Sequence, residues 1–286
     1  MGLGPAEGLA VHGPPDGGGG FFRPRHKVLG ADIAGVVEAV GSKVERLKPG
    51  DEVFGEKSWR FVSLGWGGFA EYATARESSM TIKPASITFE EAAALPQVSA
   101  LALEASRHNG EIQPGQKVLM NGAGGGVGTL FVQIAKMHGA EVTAVDSAEK
   151  LDMLRSIGAD HVIDYAEQDF TKNGQQYDLI IDVAASRSTF AYARAVSPGG
   201  AYGVIGGSQR RFFQTAFFGH LIGRSGKKKI SDVTAKTNER VDYMLELIEA
   251  GKVRPVIDKT YPLSETAEAF RYFGEGHVKG KIVITM

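Results

Sequence analysis

The spacing of apolar residues switches from one periodicity to another along this chain. Between Val28 and Phe54 it is strand-like. Ile33-Ala-Gly-Val-Val-Glu-Ala-Val40 is dense in β-branched residues and stops at Gly41-Ser42. Leu47-Lys-Pro-Gly-Asp-Glu-Val-Phe54 passes through a Pro-Gly-Asp turn into a second strand. Gly68–Ala73 predicts a third. Short strands separated by turn signals predict a small β-barrel-like domain. Residues 56–67 form a loop whose Trp59, Phe61 and Trp66 either line a pocket or pack onto the barrel.

From Thr88 the spacing becomes helical. Thr88 with Glu91 three residues later predicts a capping box, and the Ala-rich helix behind it is interrupted at Pro96. Strands and helices then alternate. Lys117–Asn121 is an apolar strand, and Val127 to His138 carries Val127, Leu130, Phe131, Ile134 and Met137 on one stripe, with Gly139 as its stop. The spacing further predicts a strand over Glu141–Asp146, a helix over Ala148–Ile157, strands over His161–Tyr165 and Tyr177–Val183, and a helix near Ser188 to Val196. Ser197-Pro-Gly-Gly200 then turns into a strand over Ala201–Gly206. Apolar strands alternating with amphipathic helices specify a parallel sheet covered on both faces. A helix over Asn238–Ala250, the segment Val253–Ile257, a helix near Ser264 to Phe273 and a strand over Lys281–Thr285 complete the pattern.

Composition changes this picture in two places. There are 38 glycines in 286 residues, and four of them are consecutive at Gly17 to Gly20 inside a Gly/Pro-rich stretch over residues 1–24. Such a stretch buries little against its ordering entropy, so it is expected to be an irregular or disordered tail. There is no cysteine. That removes a disulfide framework, a thiolate nucleophile and cysteine-ligated zinc, and it fits a cytoplasmic protein. The net charge of −1 gives no electrostatic footprint for nucleic acid. No apolar run is long enough to span a bilayer, and no signal peptide is expected.

The candidate chemistry lies at the first strand-to-helix turn of the alternating region. Gly122-Ala123-Gly124-Gly125-Gly126-Val127-Gly128 follows Asn121 and opens the helix. Glycines there allow a tight turn and a close approach of pyrophosphate to backbone, and the helix start supplies the N–H groups. Gly125 and Gly128 best fit the close-approach and helix-packing positions, while Ala123 takes the place of the first glycine of the strict fingerprint. Asp146 ends the next strand, where an acid bonds the adenosine ribose and favours NADH. Ser147 and Lys150 point the other way, because both can hold a 2′-phosphate; Lys150 is alternatively a solvated helix residue. A methyltransferase uses a similar loop, but the β-rich segment ahead of it argues against that reading.

Gly30-Ala-Asp-Ile-Ala-Gly35, Lys48–Phe54, Gly68–Tyr72, Ala92-Ala-Ala-Leu-Pro96, Gly122–Gly128, Gly158–Asp164 and Gly280–Ile284 occur in register. Together they resemble the medium-chain dehydrogenase/reductase superfamily, in its zinc-independent quinone oxidoreductase branch, over about residues 25–286. The resemblance implies an α/β fold: a Rossmann doubly wound parallel sheet inserted in a GroES-like β-barrel domain. Residues 25–96 plus 253–286 would form the GroES-like domain and 97–252 the NAD(P)-binding domain. It implies transfer of hydride from NAD(P)H to a small quinone or α,β-unsaturated carbonyl, and pairing as a homodimer through the edge of the Rossmann sheet. Family analogy places the nicotinamide near Val183, Ala184, Gly206, Gly207 and Ser208; Val183 and Ser208 are alternatively ordinary strand-end residues. Where zinc members carry Gly-His-Glu, this chain has Gly30-Ala31-Asp32. His161 reads as structural, His277 as solvated, and no metal site is expected.

The departures from the family matter equally. Relatives begin with further barrel strands, so the first domain is expected to be incomplete. Leu101 stands where a nicotinamide-facing threonine is common. No catalytic residue is assigned: Tyr72 is a candidate acid but is expected to pack in the barrel. A catalytically weak or inactive NAD(P)-binding protein therefore stands as the alternative, and a regulator or RNA-binding relative is disfavoured by the neutral charge.

Overall fold

The computed structural model describes residues 2–3, 8–10, 28–57, 67–206, 214, 228–236 and 238–286. The chain divides into two compact units. The first comprises Met1–Ala100, Lys236–Leu245 and Pro255–Met286; the second comprises Leu101–Ala235 and Glu246–Arg254.

The first unit is built on strands β1 (Gly2–Leu3), β2 (Gly8–Ala10), β3 (Asp32–Ala39), β4 (Glu52–Glu56), β5 (Ala73–Thr74) and β6 (Thr81–Ile82). The long β3 is the hub. It pairs antiparallel with β4 over Asp32↔Glu56 to Val36↔Glu52, and also with β1 and β2. Two stretches of the Gly/Pro-rich segment thus enter the sheet, where an irregular tail was expected. Their order comes from the exposed edges of β3, not from local signal. Gly68–Ala73 is not a strand, since only Ala73–Thr74 is. Gly68 N–H and Phe69 N–H instead donate to Gly30 O and Leu29 O, both at 2.9 Å. A Cβ on Gly68 would stand 2.9 Å from Gly30 O, so the two backbones meet at close approach. The loop aromatics Trp59, Phe61 and Trp66 lie outside the described residues.

Helix α1 (Phe89–Ala93) starts at the predicted capping box: Thr88 Oγ1 accepts from Glu91 N–H at 3.2 Å and Glu91 Oε2 from Thr88 N–H at 3.0 Å. Pro96 is the first residue of α2 (Pro96–Ser106), a position where its missing N–H costs nothing. Lys236–Leu245 groups with the first unit, where Asn238 accepts from Glu56 N–H and donates to Ser79 O.

In the second unit β7 (Lys117–Asn121), α3 (Gly126–Met137), β8 (Glu141–Asp146), α4 (Leu151–Ser156), β9 (His161–Asp164), β10 (Tyr177–Asp182), α5 (Thr189–Ala195), β11 (Val196–Val204) and β12 (Lys229–Asp232) follow one another. All strands are parallel, in the order β12-β11-β10-β7-β8-β9. This is a doubly wound Rossmann sheet, whose order reverses between β7 and β10. The helix expected over 148–157 opens with a 3-10 turn, Ala148–Lys150. β11 begins at Val196, but its pairing with β10 passes from Tyr177↔Val196 to Leu179↔Ala201 and Gly199 has φ +83, so Ser197–Gly200 bulges out of the ladder as the expected turn and regular pairing starts at Ala201. The core of this unit gathers Leu119, Val145, Ile180, Tyr192, Tyr202 and Val204.

The chain closes with α6 (Val241–Glu249), β13 (Ile257–Pro262), α7 (Thr266–Gly274) and β14 (Lys281–Thr285). β14 is an interior strand of the first unit, parallel to β13 and antiparallel to β2. It carries Ile282 and Ile284 into the core with Ile33, Val37 and Val53.

Candidate cofactor site at the sheet switch point

The glycine loop leaves the carboxyl end of β7 beside the reversal of strand order, which is where open α/β sheets take ligands. Gly122 has φ +80, and a Cβ there would stand 2.4 Å from Val183 Cγ2 and 3.3 Å from Ala184 Cβ. Only glycine lets the loop press so close onto the end of β10. Val183 N–H donates to Asn121 O at 3.0 Å. Gly206, at the end of β11, completes the group: a Cβ on it would stand 2.7 Å from Val183 O. Gly122, Val183, Ala184 and Gly206 therefore converge. Ala184 is exposed and Val183 half-buried. Gly207 and Ser208 lie outside the described residues.

Two glycines of the loop do different work. A Cβ on Gly128 would overlap Ala123 O at 2.4 Å, so Gly128 is where α3 packs against its own loop. A Cβ on Gly125 would meet nothing nearer than Gly122 O at 3.8 Å. Gly125, Gly126 and Val127 are partly exposed, whereas Ala123, Gly124 and Gly128 are buried. Thr129 N–H is bonded back to Gly125 O, and the N–H groups ahead of it have no acceptor within the helix. Space above Gly125 and unused donors at a helix start fit a dinucleotide pyrophosphate.

Asp146 lies under this loop. Its carboxylate accepts from Gly124 N–H at 2.7 Å and Ser147 N–H at 2.9 Å, and pairs with Lys150 Nζ at 3.3 Å. Lys150 is not a solvated helix residue: its side chain is 10% exposed and its Cδ lies 2.5 Å from a Cβ built on Gly124. Ser147 is half-buried and its hydroxyl bonds Glu149.

The sequence reading missed Asp182. This fully buried acid ends β10, and its Oδ1 accepts from Asn121 Nδ2 at 2.8 Å and Ala184 N–H at 2.9 Å. Its Oδ2 accepts from the Tyr202 hydroxyl at 3.1 Å, and the Tyr192 hydroxyl also bonds the carboxyl. Burial pushes this carboxyl above its ordinary value, against the pull of those donors. Burial and the Asp182 charge in turn push the Tyr192 hydroxyl up to about 12. The available signal was an acid directly after the apolar run Leu179–Ile181 in a strand of a two-sided sheet.

The remaining candidates fall elsewhere. Tyr72 does not pack in the barrel; it is 58% exposed. Leu101 is half-buried on α2. His161 bonds Glu141 at 3.0 Å on the surface, and His277 is exposed. Among the described residues no group of three or more His, Asp or Glu comes together as a metal site, and the chain has no cysteine. The described residues do not fit a zinc ion.

Two family models match this chain: the alcohol dehydrogenase GroES-like domain over residues 12–85 and the zinc-binding dehydrogenase over 157–284. A chloroplast envelope quinone oxidoreductase homolog from Arabidopsis thaliana is 32% identical over 88% of this chain and 78% of its own length. The chain belongs to the medium-chain dehydrogenase/reductase superfamily, in its quinone oxidoreductase-like branch. Another relative in this superfamily, a 2-methylene-furan-3-one reductase from Solanum lycopersicum, is 34% identical over 91% of this chain; the chain spans 64% of that relative's length. The solved quinone oxidoreductase from Coxiella burnetii superposes with a TM-score of 0.86 at 26% identity, covering 100% of this chain and 90% of that one. The superfamily accounts for both halves of the fold, the GroES-like unit and the doubly wound sheet.

Proposed function

We propose that this chain binds a nicotinamide dinucleotide on its doubly wound unit and reduces a small quinone or α,β-unsaturated carbonyl without zinc. The observation that carries the reading is the convergence of Gly122, Val183, Ala184 and Gly206 at the reversal of strand order, beside a helix start with open space above Gly125. Relatives named as quinone oxidoreductase homolog and 2-methylene-furan-3-one reductase support the substrate class. When bound, the reduced nicotinamide supplies hydride. The loop Gly122–Gly128 brings the pyrophosphate onto the free N–H groups at the start of α3, from Gly126 to Gly128, and Val183, Ala184 and Gly206 give the ring an apolar seat; the family places Gly207 and Ser208, which lie outside the described residues, with them. Asp146, Ser147 and Lys150 receive the adenosine ribose. Pairing of two copies through an outer strand of the sheet and a cytoplasmic location belong to the same proposal. Among the described residues no helix is long and apolar enough to cross a membrane.

The direct test is oxidation of NADH and NADPH by the full chain with a small benzoquinone and with a short enone. Turnover with at least one pair is expected, and no turnover with any sinks the activity. Leu101 favours a second reading, a nucleotide-binding chain without turnover. Calorimetric binding of NAD(P)H by an inactive chain would establish that instead.

Asp146 and Lys150 set the choice of cofactor. The carboxylate repels a 2′-phosphate, and the ammonium paired with it offsets that repulsion. NADH is expected to be favoured modestly. Asp146→Ala should shift the ratio of kcat/KM values about tenfold toward NADPH, equivalent to about 1.4 kcal/mol. Lys150→Met should shift it toward NADH. Equal ratios in wild type and both variants would remove the pair from the ribose site.

A further inference from the structure

Asp182 touches neither solvent nor the space above the loop, yet it joins the elements that make the site. Through Asn121 Nδ2 it holds the last residue of β7, directly before Gly122. Through Ala184 N–H it holds the first turn beyond β10. Tyr202 ties it to β11, and its own carbonyl accepts from Ile205 N–H at 2.8 Å, next to Gly206. Tyr192 of α5 continues the network: its hydroxyl, bonded to Asp182, accepts from Ser186 N–H and Arg187 N–H, both at 3.0 Å. One carboxylate thus fixes the start of the glycine loop against the backbone of residues 183–187. A neutral side chain of the same length could not satisfy four donors, whereas a carboxylate accepts from all of them.

We infer that Asp182 is a positioning residue: it sets the register between the pyrophosphate loop and the strand ends that seat the nicotinamide. This rests on the cofactor reading above. The adenosine half of the dinucleotide falls on Gly124, Asp146 and Lys150, which Asp182 does not touch. The inference therefore separates the two halves of the ligand. Loss of the Asp182 bridge should misplace the nicotinamide end and leave the adenosine end in place.

The experiment uses the full chain, with AMP as probe of the adenosine half and the better of NADH and NADPH as probe of the whole. In Asn121→Ala, which breaks the bridge from the loop side, the dinucleotide should bind about tenfold more weakly, as expected for loss of one hydrogen bond to a charged group, with AMP affinity changed less than about twofold. Asp182→Ala should do the same and lower kcat about tenfold. Asp182→Asn should recover part of both. Its amide oxygen can still accept from Asn121 and Ala184 and its NH2 can donate to Tyr202, whose hydroxyl can rotate to accept, but the Tyr192 hydroxyl, already accepting from Ser186 N–H and Arg187 N–H, is left without its acceptor. If Asp182→Ala does not fold, Asn121→Ala and Tyr202→Phe carry the comparison. Dinucleotide and AMP weakened equally, or a folded variant binding both like wild type, would overturn the positioning role while leaving the cofactor site standing. A wild-type chain that binds neither probe would overturn the cofactor reading, and the inference with it.

Discussion

Gly128→Ala should cost the second unit about 3 kcal/mol of stability, the upper end for overpacking, and lower its thermal midpoint by about 10 °C. The added Cβ would sit 2.4 Å from Ala123 O and 2.6 Å from Ala123 C and Cα. All of these are backbone atoms, so no side-chain rotation relieves the overlap. Either α3 lifts off its loop or the loop leaves β7, and dinucleotide affinity should fall more than tenfold with the stability. Gly125→Ala is the control. Its φ of −86 is ordinary for alanine, and its Cβ meets only Gly122 O at 3.8 Å. The loss of an N-cap glycine there is worth about 1 kcal/mol at most. The fold should persist while the methyl group blocks close approach of the pyrophosphate. Chemical denaturation and a nicotinamide fluorescence titration measure both effects. Equal stability losses in the two variants would refute the division of labour between these glycines. Unchanged dinucleotide binding by Gly125→Ala would show that the pyrophosphate does not pass over that position.

Lys281→Met should be comparably damaging in the first unit, by about 3–5 kcal/mol. Lys281 Nζ lies 3.9 Å from Asp32 Oδ2, with side chains 5% and 0% exposed. Truncating the lysine leaves a buried carboxylate at the start of β3 without the ammonium that faces it. Replacing both, as Asp32→Leu with Lys281→Met, should recover most of the loss, because neither charge is then taken out of water. A double variant no more stable than the single one would refute the pairing. The pair also has a pH signature. Burial lowers the Lys281 ammonium to about 8, against attraction from Asp32 and Glu56, from an ordinary 10.5. Between those values the unfolded chain holds a proton that the folded chain has released. Lys281 therefore makes stability rise with pH across that window. The rise should be smaller in Lys281→Met, as read from urea unfolding at several pH values.

The parts of the fold legible in sequence were those with a strong local period or a local chemical device. β7 and β8 run over the residues that their apolar runs predict, and the box of Thr88 and Glu91 opens α1. β12 was not predicted: of Lys229–Asp232 only Ile230 is buried, so the segment has no period to read. Gly68–Ala73 has strand composition but is held by two bonds to Leu29 and Gly30, and proximity outside the sequence window decided its shape. The glycine loop and Asp146 were visible because their chemistry is local. The burial of Lys150 against Asp146 and the bridge at Asp182 were not, since both depend on which strand ends lie side by side.

The strand β14 has a consequence for biosynthesis. Its Ile284 lies opposite Leu9 of β2, and its other flank is covered by β13. The two partner strands lie on opposite sides, in sequence, of the nearly contiguous second unit. On the ribosome the doubly wound sheet has all six of its strands available before β14 emerges. The first unit must hold the edge of β2 open until then, so long-range closure should be the slow step of folding. During that interval the nascent chain exposes an unpaired strand edge, which is where a chaperone would be expected to engage.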